Sequence, residues 1–209
     1  MSEISATLVK QLRERTGAGM MECKGALKEA NGNLDEAEVV LRKKGIASAS
    51  KKSSRTTKQG VISAYIHPGA QLGVLIEVNC ESDFVARTDH FQELVKDLAM
   101  QIAAADPRFV RKEDVTPELI AKEKEIQKAR VIGEGKPEKV AEKIVEGRMS
   151  KFYEEVVLLE QQFIKESNIT VNELIKSKIA KLGENITVAR FSRFKVGETA
   201  SDQPPATEA

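Results

Sequence analysis

The feature that most constrains the fold is a change in hydrophobic spacing on either side of a polar stretch. Before this stretch, apolar residues recur at intervals of three and four, which is typical of amphipathic helices. After it, apolar and polar residues alternate from Val61 to His67, which is typical of a strand. Residues 47–58 contain no large apolar side chain, and we interpret 47–59 as a linker. The pattern therefore predicts an α+β protein with a helical part and a sheet-containing part.

The first part, residues 1–46, is predicted to form three short helices. Ser5 can cap the first helix, and the second begins near Met20 after a glycine-containing turn. Asn33 can cap the third helix, with Glu36 in the position of a capping box, and Gly45 stands where a helix is expected to end. We therefore predict a three-helix bundle with a small core.

The second part, residues 60–197, is predicted to form a core of a small antiparallel sheet with helices. The alternating strand ends at Pro68-Gly69, and the apolar run from Leu72 to Val78 predicts a central strand paired with it in a hairpin. A charged stretch at about 117–166, interrupted near Gly133, predicts a projecting pair of helices. A last strand begins near Ile186 and should join the sheet. Residues 198–209 are polar, and we predict a disordered tail.

Composition argues against several classes of function. The chain has 33 Lys and Arg against 32 Asp and Glu, so no global basic field attracts nucleic acid. Seven Phe, two Tyr and no Trp leave few rings to stack on bases. We see neither a secretion signal nor an apolar run long enough to span a membrane. The distant Cys23 and Cys80 form no CxxC motif, and we expect a cytoplasmic protein with reduced thiols and no membrane partner.

The sequence contains no recognisable catalytic centre. The only histidines are His67 and His90, and no cysteine or serine stands in a nucleophile motif. There is neither a phosphate-binding glycine loop nor a cluster of metal ligands. We therefore predict an interaction protein that is not an enzyme and needs no cofactor or metal.

Two local features are candidates for a binding site. Met20 and Met21 stand at a helix start after a flexible turn, where methionines either contact a partner or pack inside. Farther along, Ser82 and Asp83 follow a buried strand and can cap a helix that has Phe84 in its first turn. The Phe84 ring there either packs into the core or projects from the surface.

Both features lie in longer motifs that resemble the elongation factor Ts family. The run LVKQLRERTGAGMMECK at residues 8–24 resembles the N-terminal signature of that family, and VNCESDFVA at 78–86 is similar to its second signature. VEGRMSKF at 145–152 and RFSRFKVGE at 190–198 also match. The motifs occur in family order over nearly the whole chain, excluding the tail. The resemblance implies a bacterial cytoplasmic guanine nucleotide exchange factor that binds elongation factor Tu with GDP and promotes GDP release without covalent chemistry; a plastid protein is the alternative.

The resemblance also implies roles for individual residues. Residues 1–46 would form a domain like the ubiquitin-associated three-helix domains and dock on elongation factor Tu. The family's Thr-Asp-Phe-Val segment, which displaces magnesium and loosens the phosphate site, corresponds to Ser82, Asp83, Phe84 and Val85, with serine in place of threonine. The other implied partner-binding residues are Arg13, Met20, Met21, Lys24, His67, Leu182 and Gly183.

The resemblance, together with the length of the chain, implies a homodimer. Longer family members have two related core halves, whereas this chain has room for one and resembles the short form, which pairs two chains to build an equivalent surface. Phe84 and His67 could then reach one partner from different subunits. Which subunit supplies each residue, and whether the helical pair contacts the partner, stay open at this point.

Three other functions are alternatives to this interpretation. An RNA-binding factor could use the basic residues Lys51, Lys52, Arg55 and Lys58, although composition favours a solvated tether; strongly salt-dependent RNA binding would support it. A ubiquitin-binding adaptor would bind ubiquitin directly through the N-terminal helices. An enzyme of unknown type would turn over a substrate with no GTPase present.

Overall fold

The computed structural model describes residues 4–135 and 137–198 and divides the chain into two compact units. The first unit contains the chain up to Gly60 together with Asn79–Leu94 and Glu173–Thr187. The second contains Val61–Val78, Val95–Asn172 and the chain from Val188 onward. Each unit therefore combines segments that are distant in sequence. The predicted tail lies, except for Glu198, outside the described residues.

The order of helices and strands confirms the predicted α+β class. In chain order the described residues form α1 (Ala6–Thr16), α2 (Met20–Glu29), α3 (Leu34–Lys52), β1 (Gln59–Ile66), β2 (Leu72–Cys80), α4 (Asp83–Ala86), α5 (Asp89–Ala105), α6 (Pro117–Gly133), α7 (Glu138–Val156), β3 (Gln162–Phe163), β4 (Glu166–Thr170), α8 (Val171–Leu182) and β5 (Ile186–Lys195). None of the described helices combines the length and apolar character that a membrane span requires.

The three predicted N-terminal helices are present and share a core. Ser5 caps α1 by accepting a hydrogen bond from the backbone N–H of Leu8, and Asn33 caps α3 by accepting from two backbone N–H groups. These side chains satisfy donors that the first turn of a helix otherwise leaves unpaired. The buried core residues of this bundle are Val9, Leu12, Cys23, Ala26, Leu27, Ala30 and Ala37.

The prediction that Gly45 ends the third helix is wrong, because α3 continues to Lys52. Residues 46–52 contain neither glycine nor proline, so nothing in the backbone stops the helix. Gly45 instead permits close packing: a Cβ at this position would lie 3.1 Å from the Cβ of Ala180 in α8. The stretch without large apolar side chains, which starts at Ala47, therefore begins as the end of a helix in which Ala49 is buried.

The main sheet has the strand order β1-β2-β5, so β2 is central and the last strand joins the sheet, as predicted. In β2, Val74, Ile76 and Val78 are almost fully buried, while Leu75 between them is exposed. The hairpin between β1 and β2 closes where the backbone N–H of His67 donates to the carbonyl of Leu72 at 2.9 Å. The alternation along β2 places one face of this strand in the core and the other toward solvent.

The helical pair is shorter than predicted, because α7 ends at Val156 and not near Glu166. A two-stranded antiparallel sheet, β3 with β4, occupies part of the remaining stretch and was missed by the sequence interpretation. Buried Gln101 explains how this irregular stretch is held, since its amide nitrogen donates to Gln161 Oε1 at 3.1 Å and its oxygen accepts from the backbone N–H of Ile164 at 2.9 Å. Long-range hydrogen bonds of this kind have no signature in local spacing.

Candidate functional site

The segment that carries Phe84 is a single helical turn, α4, placed directly after β2. Ser82 is its cap, and the Ser82 hydroxyl accepts a hydrogen bond from the backbone N–H of Val85 at 3.4 Å. The Phe84 side chain is 80% exposed. Burial of a ring of this size is favourable, so an aromatic side chain exposed to this degree on a capped turn is a candidate for burial in a partner. Of the two orientations considered from sequence, the structure has the projecting one.

A carboxylate from the chain after α8 holds the peptide that precedes this turn. Oε2 of Glu184 accepts hydrogen bonds from the backbone N–H groups of Glu81 at 3.1 Å and Ser82 at 2.9 Å. Oε1 of the same carboxylate accepts from the Ser82 hydroxyl at 2.6 Å. Hydrogen bonds to a charged acceptor are stronger than those between neutral groups. The backbone at the start of α4 is therefore fixed by a residue about a hundred positions away.

A second bridge runs in the opposite direction between the same two segments. Oε1 of Glu81 accepts a hydrogen bond from the backbone N–H of Asn185 at 2.7 Å and forms an ion pair with Arg55 at 3.5 Å. Asn185 is 2% exposed, and its amide nitrogen donates to the carbonyls of Ser53 and Arg55. The chain immediately after α3 is therefore tied to the segment that carries Phe84. Arg55, one of the basic residues considered for RNA binding, takes part in this network.

Cys80 lies buried at the end of β2, beneath the turn. Burial raises the pKa of the Cys80 thiol, and the negative charge of Glu184 adds to this effect. The thiol therefore stays protonated at neutral pH and can donate its hydrogen bond to the carbonyl of Ser82 at 3.1 Å. This contact is a further support for the backbone just before Phe84.

Asp83 lies at the first position of α4 and forms an ion pair with Arg87 at 2.9 Å. The two residues are four positions apart, and both side chains are well exposed. An ion pair of this kind contributes little to stability in water. The Asp83 carboxylate is therefore available to exchange its local partner for a group on another protein.

The paired methionines are exposed at the start of α2, so the interpretation that they pack inside is wrong. Met20 is 62% and Met21 78% exposed. Lys24 is also exposed and lies one turn farther along α2, next to both methionines on the helix surface. Arg13 is exposed in the last turn of α1. Together Met20, Met21 and Lys24 form a surface that we call the methionine face.

The turn that precedes the methionine face packs against the end of α8. Gly17 ends α1 with a φ of 67°, in the left-handed region that favours glycine. A Cβ at this position would lie 2.7 Å from Cε of Lys181, so the Lys181 side chain crosses directly over Gly17. Leu182 and Gly183 come next in the chain, and Glu184 then contacts Ser82. The end of α8 therefore contacts both the α1–α2 turn and the segment that carries Phe84.

The structure thus brings together most, but not all, of the residues singled out in the sequence. Leu182 and Gly183 lie in the same unit as Ser82, Asp83, Phe84 and Val85, joined to them through Glu184. His67 belongs to the other unit, where it is exposed at the end of β1 with Nδ1 3.1 Å from the hydroxyl of Tyr65. Glu184 and Asn185 were missed. The only local signal was their position immediately after the helix-ending Gly183.

These features define a class of protein. An exposed aromatic ring on a rigidly held turn, and exposed methionines at a helix start, are the apolar anchors that protein-binding surfaces use. Within residues 4–135 and 137–198, no three His, Cys, Asp or Glu side chains are grouped so that they could hold a metal ion. The molecule is therefore an α+β interaction protein whose site is built to bind another protein.

Comparison with known proteins shows the family. The family model described as Elongation factor TS matches residues 7–198. Over the full length of both proteins, the chain is 70% identical to Elongation factor Ts of Solibacter usitatus (strain Ellin6076). It is 64% identical to Elongation factor Ts of Koribacter versatilis (strain Ellin345), over 93% of this chain and 89% of the relative. The chain belongs to the elongation factor Ts family, and it is a non-catalytic nucleotide exchange factor for elongation factor Tu.

Proposed function

We propose that this protein releases GDP by displacing the magnesium ion from elongation factor Tu and loosening its phosphate site, so that GTP can bind. The observation that carries the proposal is the exposed ring of Phe84, held on a turn by hydrogen bonds to Glu184 and Ser82. Burying such a ring in a partner contributes about 1.5–3 kcal/mol. Phe84 would act as an apolar wedge, with Asp83 beside it and Ser82 and Val85 completing the segment.

The physical basis of this exchange is reciprocal coupling between two ligands of one partner. A factor that binds best to elongation factor Tu with a disordered phosphate site must weaken GDP binding, and GDP must weaken binding of the factor to the same extent. No covalent step, cofactor, nucleic acid or membrane is needed. The proposed site of action is the cytoplasm of a bacterium.

We further propose that residues 1–46 form the docking domain and that 47–59 link it to the core at 60–197. The three N-terminal helices have a small core of their own. A domain like the ubiquitin-associated three-helix domains would have such a core. The methionine face and Arg13 would bind the nucleotide-binding domain of elongation factor Tu. Leu182 and Gly183 would extend this contact next to Phe84, and His67 would contact the partner from the sheet.

The homodimer is proposed to form through the outer face of the main sheet. Ile62 and Ile66 of β1, Leu75 of β2 and Phe194 of β5 are large apolar side chains that are exposed in this chain. Ile66, Leu75 and Phe194 line one shallow depression. A contiguous exposed apolar surface of this kind marks an interaction site. A second copy presents the same surface and can cover it by two-fold pairing.

Charging this sheet face is expected to separate the dimer. Ile62→Lys should give a monomer in sedimentation velocity, because pairing would bury the new charge without a partner. Ile132→Lys is the matched control, since Ile132 is also exposed but lies in α6; it should leave the dimer unchanged. Wild-type protein that sediments as a monomer at micromolar concentration would contradict the proposal.

The exchange proposal is tested by stopped-flow release of fluorescent GDP from purified elongation factor Tu. Large, concentration-dependent acceleration by substoichiometric amounts of the protein is the expected result. The same assay with excess magnesium should show slower release if displacement of the ion is part of the step. Acceleration that does not respond to magnesium would remove the ion from the mechanism, and no acceleration with any matched partner would contradict exchange itself.

A further inference from the structure

We infer that Glu184 is a positioning residue for nucleotide exchange, whose carboxylate fixes the turn that presents Phe84 to the partner. The inference rests on the proposed role of Phe84 and adds a residue that would act through the turn that carries this ring. Its basis is the set of three hydrogen bonds from Glu81 N–H, Ser82 N–H and the Ser82 hydroxyl to one carboxylate, at 3.1, 2.9 and 2.6 Å.

The turn needs such support because it is too short to be stable alone. α4 contains only Asp83–Ala86, and the first turn of a helix costs more conformational entropy than its few hydrogen bonds return. Its cap, Ser82, is used twice: the hydroxyl accepts from the N–H of Val85 and donates to Glu184. The orientation of the cap, and hence the start of the turn, therefore depends on the carboxylate.

The chemistry of the site requires a carboxylate in particular. All three groups that face Glu184 from the turn are donors, and an ionised carboxylate has only acceptor sites to offer them. A glutamine side chain has the same shape as glutamate, but an NH2 group replaces one of the two carboxylate oxygens. If its oxygen accepts from the two backbone N–H groups, its NH2 group faces the Ser82 hydroxyl, which can then no longer donate there. Glutamine should therefore support the turn only in part.

The second bridge makes the arrangement reciprocal. Glu184 holds Glu81 and Ser82, while Glu81 in turn accepts from the N–H of Asn185 at 2.7 Å. Asn185 is anchored to the carbonyls of Ser53 and Arg55 after α3. Loss of Glu184 should therefore loosen the start of α4 without detaching the segment, because the Glu81–Asn185 bridge remains.

The test compares Glu184→Ala, Glu184→Gln, Phe84→Ala and the double variant Glu184→Ala/Phe84→Ala in the GDP-release assay. Glu184→Ala should lower the maximal rate at saturating factor about tenfold, with little change in the half-saturating concentration. Glu184→Gln should lose less. Glu113→Ala, which removes an exposed carboxylate between α5 and α6, is the matched control and should behave as wild type.

The double variant distinguishes positioning from general damage to the fold. If Glu184 acts through Phe84, the maximal rate of GDP release by the double variant should be within about twofold of the rate of Phe84→Ala, because the interaction is already lost. If the two losses multiply instead, Glu184 acts independently of Phe84 and the inference is overturned. An unchanged maximal rate for Glu184→Ala would overturn it as well.

Amide hydrogen exchange tests the geometry without the partner. In Glu184→Ala the N–H groups of Ser82 and Val85 should exchange at least tenfold faster, while amides in the middle of α5 keep their protection. Unchanged protection at Ser82 and Val85 would overturn the inference. If the alanine variant fails to fold, the glutamine variant serves for both measurements. If wild-type protein does not accelerate GDP release, the proposed function fails, and the exchange of these amides then decides by itself whether Glu184 holds the turn.

Discussion

Replacing Phe84 with alanine is expected to slow the release of GDP from elongation factor Tu by about tenfold to a hundredfold while leaving the fold intact. The ring is 80% exposed in the free protein, so its removal takes little from the core. Burial of the ring in the partner contributes about 1.5–3 kcal/mol, and each 1.4 kcal/mol is about a factor of ten in rate if it appears in the transition state.

The measurement is stopped-flow GDP release at saturating concentrations of the variant, paired with thermal unfolding by circular dichroism. A melting temperature within about a degree of wild type would show that the loss of rate is not caused by unfolding. Met21→Ala is a useful comparison, because Met21 is equally exposed but belongs to the proposed docking surface. It should raise the half-saturating concentration and change the maximal rate less. Unaltered GDP release by Phe84→Ala would show that the ring is not the wedge.

Replacing Phe91 with alanine is expected to cause a large loss of stability, whereas Phe84→Ala should slow GDP release and leave the fold intact. Phe91 lies in the first turns of α5 and is fully buried, at 0% exposure. Removing a buried ring costs about 3–5 kcal/mol, from lost burial and from the cavity that remains. For a chain of this length we expect a melting temperature lower by roughly 10 °C. Differential scanning calorimetry or urea unfolding measures the change.

The two phenylalanines form a matched pair, seven residues apart and changed in the same way. Below its melting temperature, the Phe91→Ala variant should still release GDP at a rate close to wild type, since Phe84 and its supporting hydrogen bonds remain. A variant at Phe91 that keeps wild-type stability would contradict the burial seen in the structure. The comparison separates the ring that stabilises the fold from the ring that acts on the partner.

Much of the fold could be predicted from the sequence because its signals are local. Ser5 and Asn33 cap helices where predicted, since a short polar side chain just before helical spacing has few other uses. The apolar run from Leu72 to Val78 is the central strand, because both its length and its composition fit burial in a sheet. The break near Gly133 was also predicted from a local signal, and it separates α6 from α7.

Other features could not be predicted, because the same local signal permits more than one structure. Gly45 was interpreted as a helix end, but here it permits close contact with Ala180. The charged stretch has helical composition throughout, yet α7 ends at Val156, and hydrogen bonds with buried Gln101 and Gln161 stabilise the irregular segment beyond it. Met20 and Met21 could equally have packed inside.

The sequence by itself determined the class of fold, the three N-terminal helices, the strands of the main sheet and the motif that contains Phe84. Only the tertiary structure decided that Phe84 projects into solvent and that Glu184 holds the backbone between β2 and the turn that carries Phe84. The physical reason is the range of the interactions. Capping and hydrophobic spacing act between residues a few positions apart, whereas the bonds from Glu81 and Ser82 to Glu184 join segments that are 103 and 102 positions apart and exist only after the chain has folded.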